Sequence, residues 1–167
     1  MNISNDNIIN IEDNTEIFEI QDIIYISINI ENQQTDEKNQ NILLTDYIDL
    51  SQDASLYTTM VLYKETSFGT LSKIPLTTDN LVVLDGAVTL NDEYLSINSD
   101  YNDNGFSCEF GIKLLETGTF YLANSSFNET NDGKIYINGG SNNKGYITII
   151  SKISNSNEQH AYKIIVN

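Results

Sequence analysis

The chain has 167 residues, 40% of them hydrophobic, and its 24 Asp and Glu residues outnumber eight Lys, with no Arg, to give a formal net charge of −16. This length is most simply one domain, with enough apolar side chains for one buried core. The charge argues strongly against nucleic acid as a partner, because phosphate backbones would be repelled and the bidentate arginine fork is missing.

The acidity has two interpretations, solubility at a crowded surface and cation binding, and we favour solubility. Cys108 is the single cysteine, so no internal disulfide forms, and its place in an alternating strand predicts a buried structural thiol. No stretch approaches the roughly 18 apolar residues of a membrane helix, and Met1 leads into polar sequence rather than a signal peptide. Earlier removal of a signal peptide stays open as an alternative.

The chain is predicted to begin with a flexible lead-in at residues 1–16, in which residues 8–11 are a candidate edge strand, and to continue as a single domain at residues 17–167. Isoleucines at every second position from Ile24 to Ile30 indicate a long first strand, and the polar residues 31–41 indicate a loop. Further strands are predicted at residues 56–64, 70–76, 81–90 and 93–98. Residues 42–50 fit either a short strand, which we favour, or a helical turn. The strand at 56–64 is apolar on both sides, which is typical of a central strand, whereas Asp85-Gly86 indicates a hairpin or a bulge.

The most regular pattern lies between Gly105 and Asn124. Phe106, Cys108 and Phe110 alternate with more polar residues and predict a strand with one apolar side. A turn is predicted at residues 116–118, and the β-formers at 119–122 follow it, so we expect an antiparallel hairpin. Such a hairpin must cover its apolar face with another layer.

Three more strands are predicted after this hairpin, at residues 134–138, 145–153 and 161–166, with turn-forming residues between them. No amphipathic helix of useful length interrupts the series. The predicted fold class is therefore all-β, an antiparallel β-sandwich of about nine or ten strands.

The best candidate for a metal site is the stretch Asp100, Tyr101, Asn102, Asp103, Asn104 and Gly105. It matches the first half of a calcium loop, with Asp100, Asn102, Asp103 and Asn104 as candidate ligands. The twelfth position, however, is Gly111 rather than the expected glutamate. An Asx-rich β-turn is the favoured interpretation, and calcium is the alternative.

The best candidate for a ligand-binding surface is a row of tyrosines. If the strand at 119–122 pairs with the strand at 134–138, Tyr121 lies opposite Tyr136, and the next pairing places Tyr146 beside Tyr136. Such a row can stack on sugar rings or anchor a protein partner. It can also simply stabilise the sheet as cross-strand pairs, which is the favoured interpretation. No catalytic residue is predicted, because the one histidine, His160, has no nucleophile or acid tied to it by spacing.

Two resemblances extend these predictions. Residues 116–124, ETGTFYLAN, resemble a strand entry of immunoglobulin-like domains, although Leu122 stands where those domains have a cysteine. That resemblance implies an immunoglobulin-like or jelly-roll-like sandwich. The chain also resembles small surface lipoproteins of the Bacteroidota in its lead-in, the opening strand IFEIQDIIYISINI, the strand TTMVLYK, and GTFYLA before a closing Tyr-x-Ile-x-Val strand. This second resemblance covers most of the chain, rests on pattern and composition, and implies export and a lipid anchor at the outer membrane.

The function expected from the sequence is a non-catalytic, exported or cell-surface binding module whose partner is a protein or a glycan. The alternative is a carbohydrate-binding module that uses Tyr121, Tyr136 and Tyr146, with calcium possible at the Asp100 turn. No other cofactor is expected.

Overall fold

The computed structural model describes residues 1–51, 53–102, 104–124, 133–139, 147–156 and 161–167. Two 3-10 helices are present in these ranges, at Leu44–Asp46 and Thr78–Asn80. The strands are β1 (Asn2–Ser4), β2 (Ile9–Ile11), β3 (Ile17–Phe18), β4 (Ile23–Glu31), β5 (Gln33–Thr35), β6 (Asn41–Leu43), β7 (Ser55–Glu65), β8 (Leu71–Lys73), β9 (Leu81–Asp85), β10 (Ala87–Leu90), β11 (Leu95–Asn102), β12 (Gly105–Lys113), β13 (Gly118–Ala123), β14 (Lys134–Asn138), β15 (Ile147–Ile150) and β16 (Ala161–Val166).

The strands form two layers that share one core. The first layer has the order β1-β15-β14-β7-β11-β10, and β13, β16, β3 and β8 extend it around the second half of β7. The second layer consists of β2, β4, β12 and β9. The layers are joined where β11 turns into β12, a hairpin that pairs Tyr101 with Phe106 and Asn102 with Gly105.

The core is built from the inward residues of both layers. Ile26, Ile28 and Phe110 from the second layer and Leu56 and Met60 from the first are all fully buried. The alternation of buried and less buried residues along β4 and β12 follows from the two-residue period of extended chains. This all-β sandwich confirms the predicted fold class, and ten of the strands have four or more residues.

The lead-in predicted at residues 1–16 is packed against the domain, which corrects that prediction. β1 pairs in parallel with β15, and β2 pairs antiparallel with β4. Ile3 and Ile9 belong to the core and are almost wholly buried, and the hydroxyl of Tyr162 donates a hydrogen bond to the Thr15 carbonyl at 2.6 Å. Strands of three residues are too short to show an alternating pattern in the sequence, so β1 was not predicted. Burial of their isoleucines holds the segment against the domain despite its polar composition.

The predicted hairpin between β12 and β13 is also wrong, although both strands exist. β12 pairs with β4, β9 and β11, whereas β13 pairs with β7 and β16. Residues 114–117 therefore carry the chain from one layer to the other. The apolar faces of β12 and β13 pack into the same core from opposite layers. Both faces are therefore buried although the two strands are not paired.

Residues 81–90 run along one edge of both layers. β9 pairs with β12 in the second layer, and β10 pairs with β11 in the first. The change of layer occurs at Gly86, whose φ of +80° lies in the left-handed region that favours glycine. The signal at Asp85-Gly86 thus marks a strand that changes layers rather than a hairpin.

No helix in the described ranges is long and apolar enough to cross a membrane.

Candidate functional site

The outer surface of the first layer is organised by β7. This strand buries Leu56, Thr58 and Met60 toward the core, so Tyr57, Thr59 and the other odd-numbered residues point to the opposite side. Its eleven residues are long enough for two partners on each edge. β11 and β8 follow one another along one edge, and β14 and β13 follow one another along the other.

A cross-strand row of side chains passes through Tyr57. The register pairs Tyr57 with Asn98 of β11 on one side and with Tyr136 of β14 on the other. Tyr136 is in turn paired with Thr148, and 43% of its surface is exposed. We call the outward surface of β11, β7, β14 and β15 around this row the tyrosine face. Residues directly opposite each other on adjacent strands have their β-carbons about 5 Å apart, so Tyr57 and Tyr136 are neighbours on the outward side of the sheet.

A second tyrosine pair lies further along β7, about 20 Å from the first because it is six residues away. Tyr63 is paired with Tyr121 of β13. Tyr63 is buried in a small apolar cluster with Val61, Ala123 and Ala161, and Tyr121 packs against it half-buried. This pair has little free surface, so it stabilises the sheet rather than offering a ligand platform.

The predicted row of Tyr121, Tyr136 and Tyr146 is therefore corrected in its register. β13 and β14 are not paired with each other, so Tyr121 is not opposite Tyr136, and Tyr146 lies outside the described residues. Tyr57, the true neighbour of Tyr136, falls within the strand predicted at residues 56–64 but was not part of the predicted row. The sequence pattern that could have identified Tyr57 is its place among the outward-facing, odd-numbered residues at the start of β7.

The tyrosine face is poor in acids, in contrast to the chain as a whole. Among β1, β7, β10, β11, β14 and β15 the only carboxylates are Glu65 and Asp100. Lys134 shares the outward phase of Tyr136 on β14 and is exposed. A surface of tyrosine, Asn, Ser and Thr is cheaper to desolvate than one of carboxylates, which must lose strong hydration on binding.

A polar cleft of about 410 Å³ lies where the edge strand changes layers. Its lining includes Asp85, Ser107, Asp100 and Asn102, and Ser107 Oγ donates a hydrogen bond to Asp85 Oδ2 at 2.6 Å. Two of the four predicted calcium ligands therefore line a common cleft.

The stretch predicted as a calcium loop is a β-hairpin. Asp100 and Asn102 belong to β11, where Asp100 is paired with Ser55 and Asn102 with Gly105, while Asn104 is exposed in the turn and Asp103 lies outside the described residues. Because Asp100 and Asn102 lie on an extended strand, an ion held by them would need further oxygen donors from the rest of the cleft lining, such as Asp85.

Other titratable groups are perturbed by burial and by like charges. The pKa of Glu12 is raised by its hydrogen bond with the Glu109 side chain, then by burial and by the negative charges of Glu109 and Asp13. Burial, with a smaller effect of Asp85, raises the pKa of the Cys108 thiol to about 12. Cys108 is therefore the buried, unreactive thiol that was predicted.

Possible metal ligands and the one histidine complete the set of candidate functional groups. Within it, no group of three or more Asp, Glu, His or Cys side chains converges as metal ligands would. His160 lies outside the described residues.

Comparison with known proteins gives neighbours in fold only. No protein-family model matches the chain, and no curated protein matches it. Among solved structures, a type II cohesin dyad from the adaptor ScaA scaffoldin of Acetivibrio cellulolyticus aligns with 98% of this chain at 15% identity and a TM-score of 0.42. The chain spans 48% of the length of that dyad.

Two single cohesin modules from the same organism are similar at about the same level. The second type II cohesin module of ScaA, with its C-terminal linker, has 12% identity over 90% of each chain and a TM-score of 0.39. A type II cohesin domain from the cellulosome has 15% identity, covering 96% of this chain and 95% of the domain, with a TM-score of 0.36. At these values the similarity is a distant one of fold, and no residue role is carried over to this chain.

Proposed function

We propose that the chain is a non-catalytic interaction module that binds a protein partner through the tyrosine face. The observation that supports this proposal is the row in which Asn98, Tyr57, Tyr136 and Thr148 lie side by side on an acid-poor sheet of a chain with a net charge of −16. Protein interfaces favour such a surface, since a partner can cover it without stripping water from carboxylates.

The Tyr57–Tyr136 pair supplies the anchor of this interface. Tyrosine offers a large flat contact area with few rotatable bonds, so little conformational entropy is lost on binding. Ile135 and Ile137, the neighbours of Tyr136 on β14, are buried in the core and hold its backbone in place. A rigidly held aromatic residue of this kind is typical of an interface hot spot.

The test compares Tyr136→Ala with Tyr25→Ala. Tyr25 lies on β4, half-buried on the outer side of the opposite layer, and is a matched control for loss of one tyrosine from a sheet. A partner captured with the wild-type protein is purified and titrated into each variant by calorimetry. We expect Tyr136→Ala to weaken binding by about tenfold or more and Tyr25→Ala to leave it unchanged. Equal binding by both variants would remove the tyrosine face as the site.

A glycan is the second candidate ligand, favoured by the exposed ring of Tyr136 beside Tyr57. Sugar rings stack on such aromatic surfaces. In this alternative, calcium at the cleft near Asp100 and Asn102 would assist binding. A glycan array screened with and without a chelator tests both parts. Binding that needs Tyr136 and survives the chelator would favour a glycan without calcium, and calorimetry without heat on adding calcium would remove the ion.

We also propose that the module acts outside the cell, at the outer-membrane surface. The support is the resemblance to small surface lipoproteins, together with an acidic composition suited to a crowded surface. Protease treatment of intact cells tests this location. Digestion of the protein on intact cells is expected, and protection until the cells are lysed would contradict it.

A further inference from the structure

The edge formed by β9 and β10 is the longest open edge strand in the described structure. β9 pairs only with β12, and β10 pairs only with β11, so each leaves its other side without a neighbour in the described ranges. The outer end of β9 is apolar, since Val83 and Leu84 are 42% and 55% exposed. Proteins usually protect such edges by covering them or charging them.

Two other edges of the sandwich make contacts beyond their own sheet. Beside β1, the side chain of Asn5 donates a hydrogen bond to Gln34 Oε1 of β5 at 3.0 Å. Beside β2, Ile9 forms a parallel bridge with Ile153, and the Ser154 amide donates to the Ile9 carbonyl at 2.9 Å. The β9–β10 edge has no comparable cover among the described residues.

β10 is the part of this edge that can accept another strand. Its four residues pair with β11 in unbroken register, whereas β9 has a bulge that skips Leu84 between Asp85 and Val83. Bulges twist an edge and hinder addition of a strand. The amide of Asn91 donates to the Tyr94 carbonyl, so alternation directs Ala87 and Thr89 toward β11. The N–H and C=O groups of Val88 and Leu90 consequently point to the open side.

Charge indicates the occupant. The edge is bordered by the exposed carboxylates of Asp79, Asp85, Asp92 and Glu93, although Glu93 is partly neutralised by Lys73 at 3.3 Å. A second copy of the chain would carry the same net charge of −16 and the same acids to this edge. A segment with Lys or Arg is attracted instead, and Val83 and Leu84 offer contact to its apolar side chains.

We propose that β10 binds an extended segment of another protein by strand addition, and that this segment alternates apolar residues with Lys or Arg. The main-chain hydrogen bonds would be made to Val88 and Leu90. The apolar side chains would lie against Val83 and Leu84, and the basic ones would lie beside the acids. This site is separate from Tyr57 and Tyr136, so it stands or falls independently of the tyrosine face.

The test uses synthetic peptides of about eight residues, long enough to span a strand, with amide exchange of the protein followed by NMR. The probe alternates Val and Lys. The controls are an alternating Val and Glu peptide and a Val and Lys peptide whose backbone is N-methylated at every residue, so that neither of its edges can donate a main-chain hydrogen bond. The expected result is slower exchange at Val88 and Leu90 with the first peptide only, while Thr89, already bonded to β11, changes little.

A Val88→Pro variant supplies a second test, because proline removes the outward N–H without breaking a bond to β11. We expect this variant to lose peptide binding by about tenfold or more, while Tyr136→Ala binds the peptide as the wild type does. If Val88→Pro does not fold, the N-methylated peptide still decides the question in the wild-type protein.

Two results would overturn the proposal. One is equal binding of the Val and Lys peptide and its N-methylated form, which would show attraction to the acidic surface without strand addition. The other is protection of Val88 and Leu90 that increases with the concentration of the protein alone, which would make a second copy the occupant.

Discussion

Gly86 lies directly against Cys108, so that a β-carbon on Gly86 would come within 2.9 Å of the Cys108 sulfur. The same hypothetical atom would be 3.1 Å from the Asn98 carbonyl oxygen. A side chain at residue 86 would therefore force β12 to shift and would be tightly packed against β11. This contact explains why the turn signal at residue 86 needs glycine both for its φ and for its size.

Replacement of this glycine is the first prediction. Gly86→Ala is expected to lower the free energy of unfolding by about 2 kcal/mol or more, through the left-handed φ and the clash with Cys108. Urea unfolding measures the loss. In a Cys108→Ala background the clash with the sulfur should disappear, while the backbone part and the close contact with the Asn98 carbonyl oxygen should remain, so the double variant is less destabilised than the sum of the two single variants. If the losses of unfolding free energy in the two single variants simply add up in the double variant, the contact between residue 86 and Cys108 does not contribute to the effect.

The second prediction concerns the Cys108 thiol. Burial raises its pKa from 9.0 to about 12, so almost no thiolate exists in the folded protein near neutral pH. Labelling with a thiol reagent is therefore expected only as fast as the protein unfolds. The stabilising effect of the neutral thiol is fully present below about pH 9 and is lost as the pH rises toward 12. Rapid labelling of the folded protein, with its circular dichroism unchanged, would contradict this.

The third prediction tests the packing of the first strand. Ile3 is 1% exposed in the core, so Ile3→Ala is expected to cost about 2–5 kcal/mol of unfolding free energy. Asn2→Ala on the same strand is the control, because Asn2 is exposed and its loss should change stability by less than about 0.5 kcal/mol. Thermal or urea unfolding of the two variants separates a packed strand from a flexible lead-in, for which both variants would behave alike.

The fourth prediction is a pH dependence from Glu12. Because the pKa of Glu12 is raised above 4.5 in the folded state, its contribution to stability is complete below pH 4.5 and is lost as the pH rises through the raised pKa. Glu12→Gln is therefore expected to raise the melting temperature near neutral pH and to give no gain well below pH 4.5.

The control for this fourth prediction is Glu37→Gln, an exposed glutamate in a different turn. It should not reproduce a pH-dependent gain, whereas a similar gain in both variants would point to the overall charge of the chain rather than to Glu12 itself.

Alternation along single strands was enough to predict most of the fold. The rhythm of Ile24 to Ile30 and of Phe106 to Phe110 predicted long strands with one buried side, and both strands lie side by side in the second layer. The two apolar sides of β7 predicted a central strand, which agrees with its four neighbours. These predictions depend only on local period, which the sequence contains directly.

Pairing between strands was harder to predict because the partners are distant in sequence. The turn at residues 116–118 is compatible both with a hairpin and with a crossing between layers, and only the faces across the core decide between them. The same limitation misplaced the tyrosine row. Tyr136 meets Tyr57, which is far away in the sequence, rather than Tyr121 on the preceding predicted strand.

The parallel pairing of β1 with β15 and of β3 with β16 also determines when the domain can be completed during synthesis. The first strands leave the ribosome long before β15 and β16 have been synthesised. Ile3 and Phe18, which are buried in the folded domain, therefore stay exposed to water until then. Contacts of such long range make folding slow, on the order of milliseconds to seconds. A nascent chain stalled before residue 147 should therefore be easily digested by proteases, although most of its strands have already been made.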